Sequence, residues 1–215
     1  MSAARDEILA RIRGALRDVP AGESASDVPV ARNYRHTDQR LHPELIDLLC
    51  ERISDYRAEV RRVAPDEVAG DVKSACTAWG LSRVAIPPGL PTAWRPDDVD
   101  VVEDHGLSAA ELDGLDGAIT GCAGAIAETG TLVLDGQALS GRRLLTLVPD
   151  HHICVVSAEQ VVGQVPEAMA TLAPAVAERR VPVTLVSGPS ASSDIELERV
   201  EGVHGPRHLL VLIVE

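Results

Sequence analysis

The spacing of apolar residues predicts three helices in the N-terminal part of the chain. The second is predicted to begin near Pro43, and the third to run from Pro65 to a stop at Gly80, because proline suits the first turn of a helix and glycine suits the residue after its end. The apolar positions of the three helices are Ile8, Leu9, Ile12 and Leu16; Leu45, Leu48, Leu49, Ile53, Tyr56 and Val60; and Val68, Val72, Cys76 and Trp79.

After Gly80 the pattern changes to short, largely continuous apolar runs, which are typical of strands buried on both faces. The predicted strands are residues 82–88, 99–103, 117–120, 130–135, 144–149, 152–157, 181–187 and 208–215. Residues 161–180 are predicted to form a helix interrupted by proline. Helices that precede and separate buried strands predict a layered α/β domain with a mainly parallel sheet.

The predicted organisation is an N-terminal helix and linker in residues 1–40, followed by one α/β domain in residues 41–215. Residues 18–40 are polar, contain Pro, Gly and Ser, and show no apolar period, so they are predicted to be the linker. The first helix either packs on its own domain or docks on another subunit or partner.

Composition narrows the functional classes. The formal net charge of −13 disfavours binding to a nucleic-acid backbone. No apolar run approaches the ~20 residues of a membrane span, and the N-terminus does not resemble a signal peptide, so a cytoplasmic protein is expected. The four cysteines form no CxxC pair, which predicts that this chain binds no metal or iron–sulfur cluster.

The segment 119–135 is the first candidate site, since its glycines permit close approach of a ligand to the backbone. Glu128 lies among small apolar residues before a predicted strand, where partial loss of solvent would suit it to act as an acid, a base or a nucleophile. The ligand-binding candidates here are Gly121, Thr129, Gly130 and Thr131. The alternative is a turn with a solvated glutamate.

The segment 183–198 is the second candidate, because a strand is followed by a turn and by a capping-box pattern that begins at Ser193. A helix start beyond the carboxyl end of a strand would offer N–H groups to a small carboxylate or phosphate. The ligand-binding candidates here are Ser187, Gly188, Ser190, Ser193 and Asp194. The alternative is an ordinary connection with a serine cap.

Histidines near these segments are the remaining candidates. His204 and Gly205 lie in a Gly-flanked turn before the last predicted strand, where His204 would supply acid–base chemistry near neutral pH. His152, at the start of another strand, is interpreted as structural. No histidine stands at a metal-ligand spacing.

Four segments resemble the LUD-domain family, and within it the LutC branch, in the same order and spacing. They are ITGCAGAIAETGTLVLD, LVPDHHICVV, SGPSASSDIE and GVHGPRHLLVLIVE, and the resemblance is specific across roughly residues 115–215. It implies a three-layer α/β/α sandwich similar to the phosphosugar isomerase and CoA-transferase folds. In that comparison Glu128-Thr129-Gly130 looks like the Glu-x-Gly turn of the CoA-transferases, at the level of the fold alone.

The resemblance also implies a function: an accessory protein of bacterial L-lactate utilization. Its partners would be LutA-like and LutB-like iron–sulfur proteins that oxidise L-lactate to pyruvate, with the clusters held by those subunits. Two alternatives stay open, namely a stand-alone CoA-transferase-like or phosphosugar-binding enzyme that uses Glu128, and a non-catalytic scaffold. A homo-oligomer is compatible with each of the three.

Overall fold

The computed structural model describes residues 3–20, 22–24, 26–27, 29–180, 182–189, 191–192, 200–201 and 205–215. The chain divides into two compact units, Met1–Tyr34 and Arg35–Glu215. In the first unit, helix α1 spans Ala3–Ala15 and has no buried residue. The second unit includes part of the segment predicted as linker: the side chain of Asp38 is only 4% exposed and accepts a hydrogen bond from Gln164 Nε2 at 3.5 Å.

The second unit alternates helices and strands. Its helices are α2 (His42–Asp55), α3 (Val68–Trp79), α4 (Ala109–Asp113) and α5 (Val165–Arg179). Its strands are β1 (Glu59–Val63), β2 (Arg83–Ile86), β3 (Asp100–Glu103), β4 (Gly117–Gly121), β5 (Gly124–Ile126), β6 (Thr131–Leu134), β7 (His151–Ser157), β8 (Val161–Val162), β9 (Thr184–Val186), β10 (Ala191–Ser192), β11 (Val200–Glu201) and β12 (His208–Val214).

Within the described residues, six strands form a parallel sheet in the order β1-β12-β7-β4-β2-β3. A smaller sheet has the order β8-β5-β6-β9, in which β6 runs antiparallel to both neighbours. The α/β class and the mainly parallel sheet are thus confirmed. The smaller sheet was not distinguished from the larger one in the sequence.

Helices and the smaller sheet cover the two faces of the parallel sheet. On one face, buried residues of α2, β5 and β6 pack against β7 and β12 around Leu49, Leu132 and Val211. On the other face, α3 packs Val72 and Cys76 against the same central strands. The predicted stop of α3 is confirmed, because Gly80 adopts a left-handed φ of 68° that glycine tolerates without strain.

Three of the sequence predictions are wrong. Residues 144–149 are not a strand: Arg143–Thr146 forms a 3-10 helix whose Leu145 is fully buried. Val60 does not continue the second helix but lies in β1, since α2 ends at Asp55 and Arg57 turns the chain with a φ of 66°. The helix predicted from residue 161 begins at Val165, after Val161–Val162 has paired with β5.

Among the described residues, no helix is both long enough and apolar enough to cross a membrane.

Candidate functional site

The last turn of α2 brings the two glycine turns of the sequence together. At Gly130 a β-carbon would lie 2.8 Å from Arg52 Cβ, and at Gly188 it would lie 2.4 Å from Tyr56 Cβ. Both glycines also have left-handed φ angles, 59° and 80°. Glycine is therefore required at both positions for two reasons: the left-handed backbone conformation and the close approach of the end of α2.

Strand pairing joins the two candidate segments. Leu132 of β6 pairs with Val186 of β9, so Thr131 and Ser187 become neighbours across the smaller sheet. Thr131 Oγ1 lies 2.7 Å from Ser187 Oγ and 2.7 Å from Thr129 Oγ1. Three predicted residues thus form one chain of hydrogen-bonded hydroxyl groups.

A cavity of about 400 Å³ lies beside β9 and the first residues of β7 and β12. Ser187, Gly188 and Gly205, three of the predicted residues, line it. The remaining lining includes Arg143, Thr184 and His152, which were not predicted to bind a ligand. The cavity meets the amino ends of parallel strands rather than the expected carboxyl ends, because the turn after β9 belongs to the smaller, antiparallel sheet.

His152 forms a buried part of the cavity wall and is 1% exposed. Its Nε2 lies 2.8 Å from Thr120 Oγ1, which occupies the neighbouring strand β4. Burial lowers the pKa of His152 to about 4, because the charged imidazolium is poorly solvated there. The imidazole is therefore neutral at physiological pH.

Arg143 lines the cavity from the 3-10 helix Arg143–Thr146. Its Nη1 donates a hydrogen bond to Thr184 Oγ1 of β9 at 2.9 Å. Among the described residues it contacts no carboxylate. Sequence reasoning missed Arg143 because residues 144–149 were predicted to be a strand, so nothing placed the preceding arginine opposite β9.

Glu128 is close to the hydroxyl chain but is not part of the cavity lining. Its Oε1 accepts a hydrogen bond from Arg35 Nη2 at 3.0 Å, and its side chain is 39% exposed. Its backbone N–H donates to the carbonyl of Gly163 at 3.1 Å. The carboxylate thus lies in a partly solvated ion pair beside the Thr129–Gly130 turn.

The other predicted residues fall into two groups. Gly121 ends β4 and its N–H donates to Leu139 O at 2.9 Å, while Trp94 and Leu139 fill the space beside it, so it does not reach the cavity. Ser190, Ser193, Asp194 and His204 lie outside the described residues. The helix start predicted at Ser193 lies there too, and its described flanks β10 and β11 pair as a short antiparallel ladder.

Two other histidines form a cluster at the amino ends of the strands of the parallel sheet. The rings of His151 and His208 stack with centroids 4.6 Å apart, and Trp79 lies 5.1 Å and 6.1 Å from them. His151 Nδ1 lies 3.0 Å from the carbonyl oxygen of Asp116. Burial lowers the pKa of His151, and the nearby His208 lowers it further.

The cysteines do not gather into a ligand set. Cys76, Cys122 and Cys154 are buried and Cys50 is half-buried, all as free thiols. Burial raises the pKa of Cys76 to about 11, so its thiol stays protonated. Across the part of the chain that the structure describes, no three His, Cys, Asp or Glu side chains are grouped to hold a metal ion.

Known proteins resemble this chain over most of its length. Residues 99–214 match the model of the LUD domain. Lactate utilization protein C of Deinococcus radiodurans is 48% identical over 172 residues, which cover 80% of each chain. Lactate utilization protein C 1 of Bacillus mycoides is 28% identical, again with 80% of each chain covered. A crystal structure of a DUF162 family protein from Deinococcus radiodurans superposes with a TM-score of 0.71 at 38% identity, covering 82% of this chain and 99% of the other.

Proposed function

Because the chain belongs to the LUD-domain family, we propose that it serves bacterial L-lactate utilization as an accessory protein. The observation that carries the proposal is the 48% identity to a lactate utilization protein C over four fifths of both chains. Its partners in this proposal are LutA-like and LutB-like iron–sulfur proteins, which oxidise L-lactate to pyruvate. The clusters belong to those subunits, and no cofactor is assigned to this chain.

The cavity beside β9 is the ligand site of the proposal. Its volume of about 400 Å³ lies within the ~300–1,000 Å³ typical of small-molecule pockets. Hydroxyl groups of Thr184 and Ser187, an arginine and a neutral histidine line it, so it offers both donors and acceptors to a small polar molecule. The contribution of Ser190, Ser193, Asp194 and His204 to this site stays a prediction.

The geometry favours an accessory role over a stand-alone enzyme that uses Glu128. A carboxylate nucleophile must reach its substrate, and Glu128 instead contacts Arg35 outside the cavity lining. The proposal therefore gives Glu128 no catalytic step and assigns this chain to binding.

Deletion of this gene alone, in the source organism, tests the role. The deletion strain is expected to lose growth on L-lactate, to grow normally on glucose, and to recover on lactate when the wild-type gene is restored. Unchanged growth on lactate would reject the role. Adjacent genes that encode cysteine-rich LutA-like and LutB-like proteins, and their co-purification with a tagged form of this chain, are the expected evidence for the partners.

A further inference from the structure

Among the described residues, no carboxylate contacts Arg143, although the protein is strongly acidic. The chain carries 33 acidic against 20 basic residues, and arginines of the α/β unit usually contact an acid. Those that do so are Arg35, Arg40, Arg52, Arg61, Arg62, Arg83, Arg95, Arg142 and Arg207. Arg143 instead contacts the hydroxyl of Thr184 at the wall of a cavity. Its guanidinium keeps donors for an anion from solution.

The rest of the cavity wall adds no charge. Arg143 and His152 are its titratable residues within the described part of the chain, and no acidic side chain is among them. His152 is neutral, so the described part of the wall carries one positive charge, that of Arg143. One guanidinium suits a singly charged carboxylate, which it can bind through two parallel hydrogen bonds.

His152 provides a neutral polar contact beside that charge. Its Nε2 faces Thr120 Oγ1, and the structure shows no partner for Nδ1 among the described residues. His152 lines the cavity, and a neutral imidazole has one ring nitrogen that donates a hydrogen bond and one that accepts one. A neutral oxygen of the ligand would satisfy Nδ1.

We infer that this cavity binds a short 2-hydroxy or 2-oxo monocarboxylate, with its carboxylate on Arg143 and its 2-oxygen on His152. The inference rests on the proposed function and gives it a ligand class and two binding residues. Thr184 and Ser187 supply hydroxyl groups to the same ligand. Phosphate fits less well, because it carries a larger charge than one guanidinium balances.

Calorimetric titration of the full-length protein tests the inference with L-lactate, pyruvate, propionate and inorganic phosphate as probes. Lactate or pyruvate is expected to bind more tightly than propionate, which lacks the 2-oxygen, and more tightly than phosphate. Equal binding of propionate and lactate, tighter binding of phosphate, or no binding of any probe at millimolar concentration would overturn it.

One variant and a matched control test whether Arg143 binds the ligand. Arg143→Gln is expected to weaken lactate or pyruvate binding by ~10-fold or more, the loss of about 1.4 kcal/mol. Arg179→Gln, which makes the same charge change on the exposed last turn of α5, is the control and should bind as the wild type does. Equal affinity in Arg143→Gln and the wild type would reject the assignment.

The contact with His152 is tested by NMR of the wild-type protein, because a substitution of this buried residue could prevent folding. In the wild-type protein, the ¹⁵N resonance of His152 Nδ1 is expected to shift on addition of lactate or pyruvate and to stay in place with propionate. An unmoved resonance at saturating lactate would reject the contact. Absent binding together with a lactate growth defect on deletion would reject this inference and leave the proposed function intact.

Discussion

Gly188 illustrates how one residue positions the cavity. It holds the turn after β9 against the end of α2, with a left-handed φ of 80° and with Tyr56 directly against its α-carbon. Any side chain at this position is strained by the backbone angle and also displaces Tyr56. The close contact therefore fixes the distance between the helix and the cavity wall.

Gly188→Ala is expected to lower the free energy of unfolding by about 1–3 kcal/mol, because both the angle and the contact are lost. Urea denaturation measures it. Gly70→Ala is the control: Gly70 lies inside α3 with open space around it, so alanine there should be neutral or stabilise by up to about 1 kcal/mol. Equal effects of the two substitutions would contradict this account of Gly188.

His152 makes stability depend on pH. Its pKa is lowered to about 4 in the folded protein from an ordinary value of 6.5, so below pH 6.5 the unfolded chain takes up a proton that the folded chain refuses. The stability due to neutral His152 is complete above pH 6.5 and is lost as the pH falls towards 4.

Between about pH 7 and about pH 5 the loss due to His152 is expected to be about 2 kcal/mol. Denaturation of the wild type and of His152→Gln at both pH values isolates it, because the effects of all other groups cancel in the comparison. The stability difference between the two proteins should shrink by that amount at the lower pH, and a constant difference would be the contrary result. NMR titration of the His152 ring in the wild type gives the folded-state pKa directly.

At this scale, three of the ligand-binding candidates, Ser187, Gly188 and Gly205, line the cavity, and the sequence pointed to them because glycine and hydroxyl clusters beside strands are a local signal. It did not identify Arg143 or assign His152 to binding, because neither lies in such a cluster. Their roles depend on contacts with Thr184 and Thr120, which are 41 and 32 residues away in the chain.

Among the elements, the 3-10 helix Arg143–Thr146 is anchored in the core by Leu145, and Leu144 packs against the same cluster. Leu145 is fully buried and belongs to a cluster with Ala85, Leu112 and Ala118. The same helix carries Arg143 at the cavity. The packing of Leu145 therefore positions the arginine that faces β9.

Leu145→Ala is expected to cost about 2–5 kcal/mol of unfolding free energy, as a large-to-small change in a filled core does. Leu185→Ala, at a 50% exposed position in β9, should change it by less than about 0.5 kcal/mol. Thermal and urea unfolding of both variants provide the comparison. A small effect at Leu145 would show that the 3-10 helix is not anchored as described.

The sequence predicted elements well where the apolar pattern was long or unbroken, as in α3, β7 and β12. It failed at residues 144–149, because a short apolar run suits a buried strand and a buried turn equally. It missed β1, whose EVRRV pattern contains three charged residues in five. The smaller sheet was missed because β5 and β8 are short and pair only through long-range contacts.

The whole molecule consists of two units of unequal size, and limited proteolysis is expected to reveal them. Trypsin should cut first after Arg17 and Arg32, which are exposed and lie outside helices and strands. Among the early products should be a chain that begins at Asn33, identified by mass spectrometry. Arg142 is the internal control, since its Nε and Nη2 are bound by the nearly buried carboxylate of Asp104. Cleavage at Arg142 as fast as at Arg17 would contradict the division into these units.

The overall architecture was largely predictable, because alternating helices and buried apolar strands permit few arrangements other than a covered parallel sheet. The course of the chain between the sheets was not predictable in the same way. Adjacent residues end in different environments: His151 stacks on His208, while the next residue, His152, lines the cavity. The alternation of side chains along β7 separates them to opposite faces of one strand.

Because of that separation, the intrinsic fluorescence of Trp79 can report on the face of the sheet opposite the cavity. The chain has two tryptophans, and Trp79 lies within 6.1 Å of two imidazole rings, whereas Trp94 packs beside Gly121. A protonated imidazole quenches a nearby indole, so the emission of Trp79 reports the charge of the His151–His208 pair. His151 and His152 are adjacent in β7. A change in the wavelength or intensity of Trp79 emission when a ligand is added would therefore show, without any label, that ligand binding in the cavity alters the environment on the opposite face of the sheet.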